Sequence, residues 1–206
     1  MNKLSTVCFI TPDGYETVKL TETVALLLKS GIKWVQYRDK HTTKKMIYEN
    51  ALEIRKLTAA FSACFIVNDY ADIALAVDAD GVHLGQEDLP LDEAKKIMGD
   101  KIIGISTHTL KQALEAEIGG ADYIGFGPVF HTFTKNAGAP KGLTLLKVIK
   151  DSVKIPVIAI GGINSSNVTS VFTTGCDGVA ASSGLLSGDI AENVRRFLMN
   201  PGKCHL

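Results

Sequence analysis

The sequence predicts one (β/α)8 barrel, a TIM barrel, as a single domain over residues 1–206. Three observations predict it. An apolar run followed by a segment of helical spacing recurs roughly every 25 residues. The runs are short and nearly all apolar, as strands covered on both faces require. Polar residues collect just beyond the runs, at the strand C-terminal ends, where such barrels carry their chemistry. A doubly wound open sheet is the competing arrangement.

The strand runs fall at 6–10, 34–38, 65–68, 81–84, 102–106, 123–126, 157–160 and 178–181. After the first, the segment 16–29 places Leu20, Val24, Leu27 and Leu28 on one helical face. The segment 43–60 does the same with Ile47, Ala51, Ile54 and Leu57, and 110–119 and 143–152 repeat the pattern. Gly31, Gly99, Gly119 and Gly175 stand at helix ends. Asn164 and Asp189 read as N-caps. No linker or low-complexity stretch interrupts the series.

Composition narrows the function. The chain is 46% hydrophobic, enough for a core, and its 22 acids balance 22 bases. No long-range field then favours nucleic acid or an anionic membrane. No apolar stretch reaches the roughly 18 residues that read as a membrane span. The first residues read as a strand and turn, not as a signal peptide. Cys8, Cys64, Cys176 and Cys204 show no CxxC spacing, so neither a disulfide framework nor a zinc motif is expected. A cytoplasmic protein acting on small molecules is the expectation; self-association is compatible with it.

The strand tips carry two kinds of anion site. In Val35-Gln36-Tyr37-Arg38-Asp39-Lys40, side chains alternate, so Gln36, Arg38 and Lys40 point one way. Arg offers a planar fork to phosphate oxygens, Lys a compact charge. A surface ion pair, Arg38 with Asp39 or Lys40 with Glu49, is the competing reading. Asn68-Asp69 ends the third run and Asp88 follows the fourth. Two carboxylates on adjacent tips suit Mg2+, which takes one or two of them plus water and phosphate oxygens. Each alone also reads as a helix cap. Residues 132–140 read as a loop that closes over the barrel mouth, with Lys135 able to reach a diphosphate, or as an ordinary solvated loop. Gly161-Gly162 and Ser182-Ser183-Gly184 follow the last two strands, where barrels often bind phosphate through backbone N–H groups. Together the two sites point to an enzyme that joins or exchanges two phosphorylated molecules. His83, inside the fourth run, reads as a hydrogen-bonded structural histidine. His108 reads either as a substrate contact or as the start of a helix.

The stretches VQYRDK, NDYADIALAVDADGVHLGQEDLP, GISTHT, ADYIGFGPVF with TFTK, IPVIAIGGI and GCDGVAASSG, in this order, resemble the thiamine phosphate synthase (thiamine-phosphate pyrophosphorylase) family over nearly the whole chain. The resemblance implies a Mg2+-dependent transfer from 4-amino-2-methyl-5-hydroxymethylpyrimidine diphosphate to a thiazole phosphate, giving thiamine phosphate and diphosphate. It further implies that Arg38, Lys40, Asn68 and Lys135 hold the diphosphate, and that Asp69 and Asp88 bind Mg2+. Gln36 and Ser106 would face the pyrimidine; Thr132, Thr134, Gly162, Ser182 and Ser183 would surround the thiazole phosphate. Arg38, Lys40, Ser106 and Lys135 are the expected catalytic set.

Two features depart from the family pattern. The family's loop is proline-rich, in a form like PTPTK, whereas this chain has His131-Thr132-Phe133-Thr134-Lys135; Ser182 replaces an aliphatic residue and Gly184 follows the second serine. Three rivals remain. A thiazole tautomerase on the same fold would need no diphosphate–metal site. A sugar-phosphate aldolase would want a lysine inside a strand. A non-catalytic phosphate-binding protein would have no use for paired carboxylates beside a cationic cluster.

Overall fold

Alternation of side chains along eight short strands decides this architecture. In the computed structural model, which describes residues 4–132 and 138–199, the strands are β1 (Val7–Ile10), β2 (Trp34–Tyr37), β3 (Cys64–Asn68), β4 (Gly81–Leu84), β5 (Ile102–Thr107), β6 (Tyr123–Phe126), β7 (Val157–Ile160) and β8 (Gly178–Ala181). They run parallel in sequence order and close, β1 pairing with β8. The predicted strands agree to within a residue or so at each end. The barrel is the observed fold, not the open sheet.

Helices follow the strands: α1 (Thr17–Lys29), α2 (Lys44–Ala60), α3 (Ala71–Ala76), α4 (Leu91–Met98), α5 (Leu110–Ile118), α6 (Gly142–Ser152), α7 (Val168–Phe172), and α8 (Ser183–Leu186) with α9 (Ile190–Leu198) after β8. The apolar face predicted for α1, Leu20, Val24, Leu27 and Leu28, is buried as a unit. Asp189 caps α9 by accepting from the Glu192 N–H at 3.0 Å. Asn164 does not cap α7; Asn167 precedes that helix and folds back on the Asn164 N–H at 2.8 Å.

Period two splits the core into two shells. Val7, Phe9, Val35, Tyr37, Phe65 and Val67 point outward and pack under the helices. Cys8, Ile10, Trp34, Cys64, Ile66 and Tyr123 point inward and fill the barrel. Each fully buried aliphatic or phenyl side chain contributes about 1.5–3 kcal/mol of transfer free energy. Gly104 makes room inside: a Cβ there would collide with the Tyr123 ring. That ring meets Trp34 edge-on, 5.1 Å between centroids. The same alternation sends Gln36, Asn68, His83 and Ser106 inward at the upper end, where the packed floor gives way to a cavity.

Candidate active site

Strand polarity brings the predicted residues to one end of the barrel. A cavity of about 130 Å3 opens there, and Gln36, Arg38, Asn68, Ser106, Thr132, Gly162, Ser182 and Ser183 all line it. The charged and the neutral anion sites inferred from sequence are therefore opposite walls of one space. Lys40, Asp69 and Asp88 stand just beyond its lining, at the tips of β2, β3 and β4. Thr134 and Lys135 lie outside the described residues.

On the charged wall, the Lys40 ammonium sits 2.8 Å from an Asp69 carboxylate oxygen. The Asp88 carboxyl stands close enough to Asp69 to act on its charge. Burial pushes the Asp69 carboxyl above its ordinary value; Lys40 pulls it back, and Asp88 adds to the upward push. Asp69 also pulls the Lys40 ammonium upward through their hydrogen bond. The Asp69 backbone is left-handed, φ 67°, a conformation that Asp adopts more readily than most residues. Its N–H donates to the His83 carbonyl at 2.8 Å, tying the β3 tip to β4.

Arg38 and Lys40 do sit in ion pairs, with partners other than those the sequence suggested. Arg38 pairs with Asp13, not Asp39. Lys40 pairs with Asp69, while Glu49 faces Lys45. Neither carboxylate caps a helix: Tyr70 and Pro90 hold the N-cap positions of α3 and α4, without side-chain caps. Asp88 instead accepts from the Gly85 N–H at 2.6 Å.

The donor set suits a hard divalent cation. Two neighbouring carboxylates repel when both are ionised, and a cation between them removes that repulsion. Among the described residues no His, Cys, Asp or Glu joins them to make a cluster of three. Mg2+ matches such a set, since it keeps waters and takes substrate phosphate oxygens as its remaining ligands.

The opposite wall is neutral. Gly162 follows β7 with φ 66°, and a Cβ there would run into the His131 carbonyl. Asn167 steadies the loop, donating to the Gly162 carbonyl at 2.9 Å. The Ser182 Oγ is buried without a partner among the described residues. An unmatched buried hydroxyl costs about 1–3 kcal/mol, which an accepting ligand oxygen would recover.

Sequence reasoning missed Asp13 and Thr11. Asp13 pairs with Arg38 and accepts from the Lys40 N–H at 3.2 Å. The Thr11 hydroxyl donates to the Arg38 carbonyl at 3.0 Å and accepts from the Arg38 N–H at 2.9 Å. Their signal was present: both follow the first strand, at the same end as the other site residues. His83 is hydrogen-bonded, as expected, to Tyr123 and Ser106, and it also lines the cavity. His108 lines the cavity too, its Nδ1 2.6 Å from the Gly127 carbonyl, while Thr109 caps α5.

Comparison with known proteins converges on one family. The model of the thiamine monophosphate synthase family matches residues 7–185. The chain is 49% identical over 169 residues to a thiamine-phosphate synthase of Chloroflexus aurantiacus, covering 82% of this chain and 78% of the relative. It is 44% identical over 182 residues to that of Clostridium acetobutylicum, covering 88% and 86%. Among solved structures, the thiamine phosphate pyrophosphorylase of Pyrococcus furiosus superposes with a TM-score of 0.86 at 40% identity, over 94% of each chain.

Proposed function

The chain belongs to the thiamine monophosphate synthase family, and we propose that it forms thiamine phosphate by a Mg2+-dependent transfer. The group moved is 4-amino-2-methylpyrimidin-5-ylmethyl, from its diphosphate to the nitrogen of a thiazole phosphate, with release of diphosphate. The observation that carries this reading is the shared cavity. Its charged rim suits a metal-bound diphosphate, and its glycine- and serine-lined wall suits a second phosphate.

The bond that breaks joins the ring CH2 to a diphosphate oxygen. Positive charge growing on that carbon spreads into the aminopyrimidine ring. Negative charge growing on the leaving oxygens meets Arg38, Lys40 and Lys135, with Asn68 as a neutral donor. Asp69 and Asp88 would hold Mg2+, which when bound would neutralise leaving-group charge. Gln36 and Ser106 orient the pyrimidine. Thr132, Thr134, Gly162, Ser182 and Ser183 hold the thiazole phosphate so that its ring nitrogen faces the carbon. That nitrogen carries a lone pair, so the step needs no general base. Positioning and electrostatics then supply most of the rate.

No helix among the described residues is long and apolar enough to cross a membrane. A small-molecule enzyme of the cytoplasm, acting as one domain over residues 1–206, fits this chemistry. The test is an assay of purified protein with both substrates. Thiamine phosphate and diphosphate should appear one for one, and only when both substrates are present. Isomerisation of a thiazole phosphate alone, with no diphosphate released, would make the chain a tautomerase instead.

A further inference from the structure

Below the substrate cavity runs a chain of side-chain hydrogen bonds that the transfer chemistry leaves unexplained. Gln36 and Tyr123 line one small space in the barrel interior. The Tyr123 hydroxyl lies 3.0 Å from His83 Nδ1. His83 Nε2 lies 2.9 Å from the Ser106 Oγ. Three strands contribute one residue each: β6, β4 and β5. The Ser106 end of the chain and Gln36 of β2 both line the cavity. Tyr123 is 1% exposed, so its hydroxyl finds its partners within the protein.

The chain has a direction. Burial pushes the Tyr123 phenol well up, so it stays a hydroxyl with one hydrogen to give. A buried hydroxyl gives its hydrogen to an acceptor within the protein, and His83 Nδ1 is the acceptor at hand. In a neutral imidazole one nitrogen accepts and the other donates. Nδ1 accepting makes Nε2–H the donor to the Ser106 Oγ. Ser106 then has its own hydrogen free to turn toward the cavity.

We propose that Tyr123 and His83 are positioning residues that set this polarity, so that Ser106 presents a donor to the ring edge of the substrate, beside Gln36, whose amide oxygen is an acceptor on the same cavity wall. That pair complements an amino group beside an unprotonated ring nitrogen, the pattern of a 4-aminopyrimidine. A 4-oxopyrimidine shows the reverse pattern, a carbonyl beside a ring N–H, and meets donor with donor. The two residues thus determine specificity through Ser106 without touching the ring's reacting carbon. The inference rests on the reading that the pyrimidine lies against Gln36 and Ser106. A site built from committed donors and acceptors rejects the mismatched analogue far better than an apolar pocket does, because its own polar groups are left unpaired.

The experiment compares kcat/KM for the 4-amino substrate and its 4-oxo analogue, both as diphosphates, in the parent, Tyr123→Phe, His83→Gln and Ser106→Ala. Tyr123→Phe keeps the ring that packs on Trp34 and removes the donor. It should lower the amino-over-oxo preference at least tenfold, with the KM for thiazole phosphate unchanged. His83→Gln, read the same way, serves should the Phe variant not fold. Equal losses for both analogues, or an unchanged preference in both variants, would overturn the proposal. Ser106→Ala separates the two levels. Loss of preference there, with none in Tyr123→Phe, discards the relay but keeps the pyrimidine site. No change in Ser106→Ala discards the site assignment itself, and the relay with it.

Discussion

The Lys40 ammonium reaches across from the tip of β2 to within 2.8 Å of the Asp69 carboxylate at the tip of β3. Twenty-nine positions separate these residues in the chain, and the pairing of β2 with β3 joins them. The contact places a cation and a carboxylate pair side by side at one rim. Such a rim suits a ligand that carries both phosphate and a metal.

Asp69→Asn and Asp88→Asn test the metal assignment at each carboxylate. Each should lower turnover by at least a hundredfold, about 2.7 kcal/mol of transition-state stabilisation. Far-UV circular dichroism should be unchanged, since Asn keeps an acceptor for the Gly85 N–H that Asp88 now binds. Steady-state kinetics across a Mg2+ titration provides the check.

Arg38→Lys keeps the charge and loses the fork. One guanidinium arm already engages Asp13, so the remaining donors must meet the phosphate oxygens. A lysine paired with Asp13 has little left to offer. The expected result is a fall of about tenfold or more in kcat/KM for the pyrimidine diphosphate. The KM for thiazole phosphate, varied at saturating diphosphate, should barely move.

Gly162→Ala strikes the other wall. It forces a side chain into a left-handed backbone, φ 66°, against the His131 carbonyl. The loop must shift, and the KM for thiazole phosphate should rise about tenfold or more, since each tenfold is 1.4 kcal/mol. The KM for the pyrimidine diphosphate should stay near the parent value.

Gly104→Ala is a stability prediction. The added methyl meets the Tyr123 ring inside a closed barrel, where nothing flexible can yield. Overpacking of this kind costs about 1–3 kcal/mol, so the thermal midpoint should fall by several degrees. Scanning calorimetry of parent and variant would show it.

The barrel was legible because its signals are local. Period-two alternation and the helical face of Leu20, Val24, Leu27 and Leu28 need only neighbouring residues. The site was legible in part for the same reason: polar residues such as Asn68 and Ser106 interrupt apolar runs at their C-terminal ends. Partnerships were not. Glu49 looked like a partner for Lys40 by proximity in the chain, yet Asp69 wins because β2 and β3 are hydrogen-bonded neighbours. Asp13 was overlooked because TPDGYE reads as a plain turn until β1 is placed beside β2. The polarity running from Tyr123 through His83 to Ser106 crosses three strands, and no single stretch of sequence carries it.

The central claim is that the tips of β2, β3 and β4 grip one metal-bound diphosphate, and a crystal structure with Mg2+ and the pyrimidine diphosphate tests it most directly. The account predicts a cation bridging Asp69 and Asp88, a diphosphate against Arg38 and Asn68, and the ring between Gln36 and Ser106. A cation or diphosphate bound away from these tips, with Asp69 and Asp88 contacting neither, would contradict it.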